Sequence, residues 1–453
     1  MTTTSFTTGI KVFLTIIVSF IISLFGGYIF SLSIPIYLYA AIFAFLFIMI
    51  TFFVHPYAAF IVLLFVRPLL DPLCKYGVGK GVNLLAIFSG LFIVFVIIVM
   101  SIDKQKSWKP SISGYFYLYL LAALFSLVNI ENLGSGITFF LKLISLIAIY
   151  LLAYHLIQNE HDAYKIFLTV ALSSIIPMGN GFLQYATGSG VQQGMDETLR
   201  INSTFVLSNP YAAFLCITIF VLIYLLFFKK SKSKKFNLCL YMLLLLALVS
   251  LVLTYTRAGW FAFLVGLIVY SIKEKKLRIY LFLLCFVSVI LLHDQIINRV
   301  SDLIAPRKYG INSLEFRMDI GKQLLKNALP EHPLLGFGIG SSEQVAIEYT
   351  SYPLPPHNDF LRILIESGII GLLCFINFFY MNFKYYVNRI KKYPGRRPYN
   401  VFMLVLLAVY AAASLGQNIF FFVTITGYIF CFLGMTQKLN DLEDQNEKNL
   451  NTV

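Results

Sequence analysis

Residues 209–260 read NPYAAFLCITIFVLIYLLFFKKSKSKKFNLCLYMLLLLALVSLVLTYTRAGW. Two apolar runs, 209–228 and 238–255, each come close to the roughly 20 residues that cross a bilayer. Between them the loop 229–235 carries five lysines. The second run ends at Thr254-Tyr-Thr-Arg-Ala-Gly-Trp260, with Arg257 at a tight turn before the next apolar run. A basic loop on one side and a lone arginine on the other describe a hairpin of membrane helices with its lysines in the cytoplasm. A cation held at a turn between spans is costly, which makes Arg257 a functional-site hypothesis.

The same pattern extends over the whole chain. Of the 453 residues 59% are hydrophobic and 12% charged, with a mean hydropathy of +0.80. Such a chain buries most of its surface in lipid. About fourteen spans are expected by the length rule, at 10–31, 36–54, 57–70, 84–101, 113–130, 137–157, 164–185, 209–228, 238–255, 259–272, 277–293, 360–383, 400–416 and 419–437. The third and tenth are short enough to be re-entrant. The expected fold is an all-α, polytopic transmembrane bundle of about 12–14 spans. Its membrane domain covers 1–437 and is followed by a polar, frayed cytoplasmic tail over 438–453. The first apolar run exceeds the length of a signal-peptide core, and no small-residue cleavage site follows it.

Loops 103–109, 229–235, 273–278 and 384–397 hold three, five, four and six Lys or Arg, against two, one and one in 71–83, 187–208 and 256–258. That asymmetry places the first set and both termini in the cytoplasm, in a multi-pass arrangement in the cytoplasmic membrane. The net charge of +14 is therefore a topology signal. The lysines sit in short separated loops rather than on one face, which argues against a nucleic-acid partner. Six scattered cysteines without CxxC spacing support neither a zinc site nor a disulfide framework.

On the outer face lies the longest loop, 294–359. Within it 313–329 reads as an amphipathic helix, with Leu314, Met318, Leu325, Ala328 and Leu329 on one face and Glu315, Asp319, Lys322 and Lys326 largely opposite. Pro330 and Pro333 stop it, and Gly336-Phe-Gly-Ile-Gly340 follows. Those glycines miss the GxGxxG spacing and have no strand-to-helix context, so they are read as a tight turn rather than a nucleotide loop.

Four stretches carry a family resemblance: Arg200-Ile-Asn-Ser-Thr-Phe with Asn209-Pro; Thr254-Tyr-Thr-Arg257-Ala-Gly-Trp; Phe316-Arg317 followed by His332-Pro-Leu-Leu-Gly-Phe-Gly-Ile-Gly340; and His357-Asn-Asp-Phe-Leu with Glu366-Ser-Gly-Ile-Ile-Gly371. In that order they resemble the O-antigen ligase and O-antigen polymerase superfamily of bacterial membrane glycosyltransferases. The likeness runs from about 200 to 371; before it only hydropathy agrees. Two positions depart from the pattern: Ser203 replaces a glycine, and Tyr211 an asparagine.

The resemblance implies transfer of a glycan from undecaprenyl diphosphate to a sugar hydroxyl on the outer face. Guanidinium groups grip a diphosphate through forked hydrogen bonds, which points to Arg200, Arg257 and Arg317. His357 is the expected acceptor of the hydroxyl proton. The bland readings are a snorkelling Arg257, solvated charges at Arg200 and Arg317, and a structural His357. Supporting residues are Asn358, as an N-cap shared in expectation with Asp359; Arg362 and Glu366, four apart on one helix; and Arg67 with Asp71. Lys142 is read as snorkelling. No Asp-x-Asp cluster stands on an outer loop, so a metal-independent enzyme without cofactor is expected.

The favoured function is polymerisation of a surface polysaccharide: capsule, exopolysaccharide, O-antigen or an acidic wall polymer. A ligase using another acceptor is the alternative within this chemistry, and a lipid-linked oligosaccharide flippase the alternative outside it. A pure scaffold leaves Arg200, Arg257 and His357 unexplained. Expected partners are the undecaprenyl-diphosphate-linked oligosaccharide, membrane lipid, and the flippase and chain-length regulator of the same pathway.

Overall fold

The computed structural model describes residues 47, 51–52, 55–75, 77–79, 82–102, 113–192, 199–229, 231–275, 278, 297, 313–350 and 356–451. The expected spans 10–31, 36–54 and 277–293, and the stretch 294–312 of the long loop, fall almost wholly outside these residues.

The described chain is an all-α membrane bundle. Its helices are α1 (Pro56–Val66), α2 (Leu84–Ile102), α3 (Ser113–Ser126), α4 (Leu133–Leu156), α5 (Glu160–Ser173), α6 (Ile175–Thr187), α7 (Ser208–Phe228), α8 (Lys234–Leu253), α9 (Arg257–Lys273), α10 (Ser313–Gln323), α11 (Ser342–Tyr349), α12 (Asp359–Lys392), α13 (Arg397–Ser414) and α14 (Val423–Asn451). Seven helical stretches among the described residues are long and apolar enough to cross a membrane. Two minimal antiparallel ladders interrupt the loops, β1 (Gly77–Gly79) with β2 (Val82–Asn83) and β3 (Val191–Gln192) with β4 (Leu199–Arg200).

Helix α7 is apolar all round, and from Pro210 to Leu226 every residue is buried, as a helix without a polar face must be. It touches α5, α8, α9, α13 and α14. Around it α14 lies along α4, α9 along α13, and α12 along α3. Aromatic rings fill the seams: Phe167 stacks on Tyr224 with centroids 4.0 Å apart, and Phe116 meets Phe430 edge-on at 4.7 Å.

At the basic end, charges fasten the helices together. Arg396 bridges Glu160 of α5 and Glu443 of α14, Arg397 pairs with Glu274 at 2.8 Å, and Arg389 and Lys392 hold Asp444. This corrects the frayed tail: α14 runs unbroken to Asn451, and its acidic residues dock on α12, on Arg396 just before α13, and on Tyr154.

Three further expectations change. The span 164–185 is two helices, broken at Ser174, whose hydroxyl turns back to the Ala171 carbonyl at 2.6 Å. The helix 313–329 stops at Gln323 and continues as a π turn over Leu324–Ala328. Its buried stripe is Ile320, Leu324 and Ala328, packed on Val345 and Ile365, whereas Met318 and Leu325 are exposed. The wider π turn shifts the register that a 3.6-residue reading assumes. Lys142, finally, is buried on α4 with its ammonium 4.2 Å from the Phe139 ring centre, and does not snorkel.

Candidate active site at the turn around Gly416

Helix α12 is kinked at Gly368 (φ 65°, ψ −170°), which frees backbone groups on both sides of the bend. The segment His332–Gly338 fills the gap. Phe337 and Gly338 donate their N–H groups to the Ile365 and Glu366 carbonyls at 3.0 and 2.9 Å, and Ile369 donates to the Pro333 carbonyl at 2.9 Å. A Cβ on Gly368 would stand 2.2 Å from the Leu334 carbonyl carbon, so a side chain cannot replace it. The third and fourth motif stretches are thus two halves of one interlock, and the interlock aims the N-terminus of α12.

That N-terminus grips the turn between α13 and α14. Asn358 caps α12 by accepting from Leu361 N–H at 3.0 Å, and its amide donates to the Leu415 carbonyl at 3.1 Å. Asp359 is buried and accepts from the Ile419 and Phe420 N–H groups, each at 3.0 Å. Arg317 of α10 donates to the Gly416 carbonyl at 3.0 Å. A Cβ on Gly416 would lie 2.9 Å from Cβ of Ala258, the neighbour of Arg257 at the start of α9. Arg317 and Asn358 thus bond to one turn, and Arg257 and His357 are the chain neighbours of residues that meet it.

Arg200 reaches the same end of the bundle on β4. The next residue, Ile201, donates to the Leu253 carbonyl at 3.4 Å, at the end of α8 just before Thr254–Arg257. Thr256 and Asn209 bring their side-chain oxygens to 3.5 Å. Ser203 and Tyr255 both hold positive φ, 56° and 48°, an uncommon conformation for residues with side chains. The glycine expected at position 203 would adopt it freely. Arg200 is buried; Arg257, Arg317 and His357 are half-buried.

Burial first, and the Arg317 charge second, push the His357 imidazole down to about 4. It is therefore neutral near pH 7, with a lone pair available.

Arg362 and Glu366 do pair, at 2.8 Å, and the guanidinium lies over Phe421 (4.4 Å) and Phe139 (5.0 Å). Glu366 also accepts from Ser342 N–H at 3.4 Å, which ties α11 to the kink. Arg67 does not join the Gly416 cluster through any of these bonds. It stands at the end of α1, where Pro68 and Asp71 support the 199–207 segment through Thr204 and Val206.

One residue escaped the sequence reading. Gln417 is buried beside Gly416, and among the described residues neither of its amide atoms has a hydrogen-bond partner. The available signal was a pair of amides, Gln417-Asn418, alone in the turn between the last two apolar runs. Among the described residues no three His, Cys, Asp or Glu side chains gather as a metal site would need.

This arrangement presents cations and a neutral imidazole around a turn at one end of a membrane bundle. Residues 242–376 match the model of the O-antigen ligase family. That range includes three of the four motif stretches and leaves Arg200 outside it. A protein of Rickettsia conorii named as a polysaccharide ligase is 26% identical over 301 residues, which cover 62% of this chain and 69% of that one. A Rickettsia felis protein of the same name is 26% identical over 260 residues, covering 50% and 61%. The O-antigen ligase match and the similarity to these two relatives support the superfamily that the motifs resemble.

Proposed function

We propose that this protein extends a bacterial surface polysaccharide, moving a glycan from undecaprenyl diphosphate to a sugar hydroxyl at the outer face of the cytoplasmic membrane. The observation that carries this reading is the convergence of Arg257, Arg317, His357 and Asn358 on the Gly416 turn. The hydroxyl oxygen of the acceptor bonds to the anomeric carbon while the bond from that carbon to the diphosphate breaks. The electron pair leaves on the diphosphate, and Arg200, Arg257 and Arg317 stabilise its growing charge by forked, charge-assisted hydrogen bonds. The hydroxyl proton passes to His357. Burial first, and the Arg317 charge second, keep the imidazole poorly basic. A bound diphosphate offsets that cation, so basicity rises when substrate arrives. Arg362 and Glu366 hold the scaffold behind the turn.

A ligase reading uses the same residues with a different acceptor, and the names of the Rickettsia relatives favour it. Purified protein supplied only with lipid-linked repeat units, in chelator, separates the possibilities by product sizing. A ladder of longer polyprenyl-linked glycans is expected of the metal-independent polymerase. Product that forms only after a second acceptor is added marks a ligase. Passage of substrate across sealed vesicles without a new glycosidic bond would sink both enzyme readings in favour of a flippase.

A further inference from the structure

The turn between α13 and α14 is fixed on either side of Gln417, while the side chain of Gln417 has no partner. Asn358 donates to the Leu415 carbonyl, Arg317 to the Gly416 carbonyl, and Asp359 accepts from the Ile419 and Phe420 N–H groups. In the middle of that run Gln417 is 1% exposed, and both its Nε2 and its Oε1 are buried without a hydrogen bond. Among the described residues no other side chain holds two such atoms, and Oδ1 of the adjacent Asn418 is a third. Buried polar atoms are nearly always paired, and each one left over is costly. A structural amide in this bundle looks different: Asn400 and Asn440 are buried and exchange amide bonds at 3.2 and 2.8 Å.

The unmet atoms specify a ligand. Oε1 and Oδ1 need donors, and Nε2 needs an acceptor. An ionised diphosphate offers acceptors alone, so it suits the arginines and would set oxygen against both amide oxygens. A sugar hydroxyl both donates and accepts, and a pair of hydroxyls meets all three atoms. The turn reaches the surface of the bundle, with Leu415 56% exposed and Gly416 and Asn418 half-buried. No bond holds the Gln417 amide where it lies, so rotation about its three side-chain bonds brings it to a ligand at those positions without losing one.

We propose that Gln417, with Asn418, forms a sugar subsite, which binds hydroxyls of the lipid-linked glycan beside Arg317. The inference rests on the reading of the Gly416 turn as the place of glycan transfer. The arginines then hold the diphosphate that all such lipids share, and Gln417 reads the sugar, as a specificity-determining residue.

The test compares two probes on the purified full-length protein: undecaprenyl diphosphate carrying the native repeat unit, and undecaprenyl diphosphate without sugar. Wild type is expected to bind the glycan-bearing lipid more tightly. Methionine is close to glutamine in shape and lacks the amide. Gln417→Met should lose about tenfold in affinity for the glycan-bearing lipid, which corresponds to about 1.4 kcal/mol, and nothing for the bare diphosphate. Its Tm without ligand should hold or rise, because a costly unpaired amide is gone. Asn418→Ala should repeat the selective loss to a smaller extent, whereas Arg257→Gln should weaken both lipids alike. Equal binding of the glycan-bearing lipid by wild type and Gln417→Met would overturn the subsite, and so would an equal loss for both lipids. A Gln417→Met protein with lower Tm, or one that does not accumulate, would show the amide to be structural and overturn it too. Wild type whose extra affinity for the glycan depends on Gln417, yet which forms no glycosidic bond, would defeat the proposed reaction and leave the subsite standing.

Discussion

Ser203 and Tyr211 donate their hydroxyls to the same carbonyl, that of Pro177 in α6. These are the two positions at which the chain departs from the O-antigen ligase pattern. Their shared acceptor makes them one feature: the serine accepts a left-handed backbone (φ 56°) and gains a bond beside the tyrosine. Gln184 completes the turn by accepting from the Asn202 and Ser203 N–H groups at 3.1 and 2.8 Å.

The pair should therefore couple. Ser203→Gly relieves backbone strain of about 1–2 kcal/mol and loses a bond of similar size, so it should be near neutral. Tyr211→Phe should cost about 1 kcal/mol. The double variant strips both side-chain donors from Pro177, and its loss should exceed the sum by about 0.5 kcal/mol or more. Thermal unfolding of the four proteins in detergent measures the cycle, and strict additivity would refute the shared role.

Arg257→Lys keeps the charge and loses the planar fork. Turnover should fall about tenfold or more, which corresponds to about 1.4 kcal/mol of transition-state stabilisation. Glycan product compared at equal membrane abundance is the measurement. Unchanged output would return Arg257 to a snorkelling helix end.

His357 sets the acid limb of the pH profile. Its pKa is lowered to about 4 by burial first and the Arg317 charge second, so kcat/KM should stay flat from neutral pH down past 6 and fall only as pH approaches that value. Stability follows the same sign. The unfolded histidine binds its proton near 6.5, so the contribution of the neutral buried form is present above that pH and is lost as pH falls from 6.5 to about 4. Arg317→Gln removes the smaller of the two causes, and should move the limb part of the way back up. A limb at 6.5 in wild type would contradict the burial of this group.

Gly368→Ala should break the interlock. The residue holds φ 65°, and the added Cβ would meet the Leu334 backbone at 2.2 Å. Its φ 65°, ψ −170° conformation is open essentially to glycine alone and costs alanine about 1–3 kcal/mol, before any clash. Lower Tm and weak membrane accumulation are expected, with loss of glycan product beyond the loss of protein, because the kink aims His357 and Asn358. A stable, active Gly368→Ala protein would show that the motif glycines are dispensable.

What the sequence determined by itself was the periodic and compositional part. Runs such as 209–228 and 238–255 are apolar over a bilayer's thickness, and they are helices in the structure because lipid leaves no other partner for their backbone groups. Arg257 and His357 were legible because a charge or an imidazole beside such a run is costly and stands out. The tertiary structure decided everything that depended on which loops meet. That Gly416 is the common neighbour of α9, α10 and the start of α12 follows from contacts between residues as far apart in the chain as Ala258 and Gly416, and no local pattern encodes it. The burial of Lys142, the π turn that moved the apolar stripe of α10, and the docking of α14 beyond Lys438 have the same origin. For the apolar stripe of α10 and for α14 a distant element supplied the packing surface or the charge, and the local sequence carries no record of that partner.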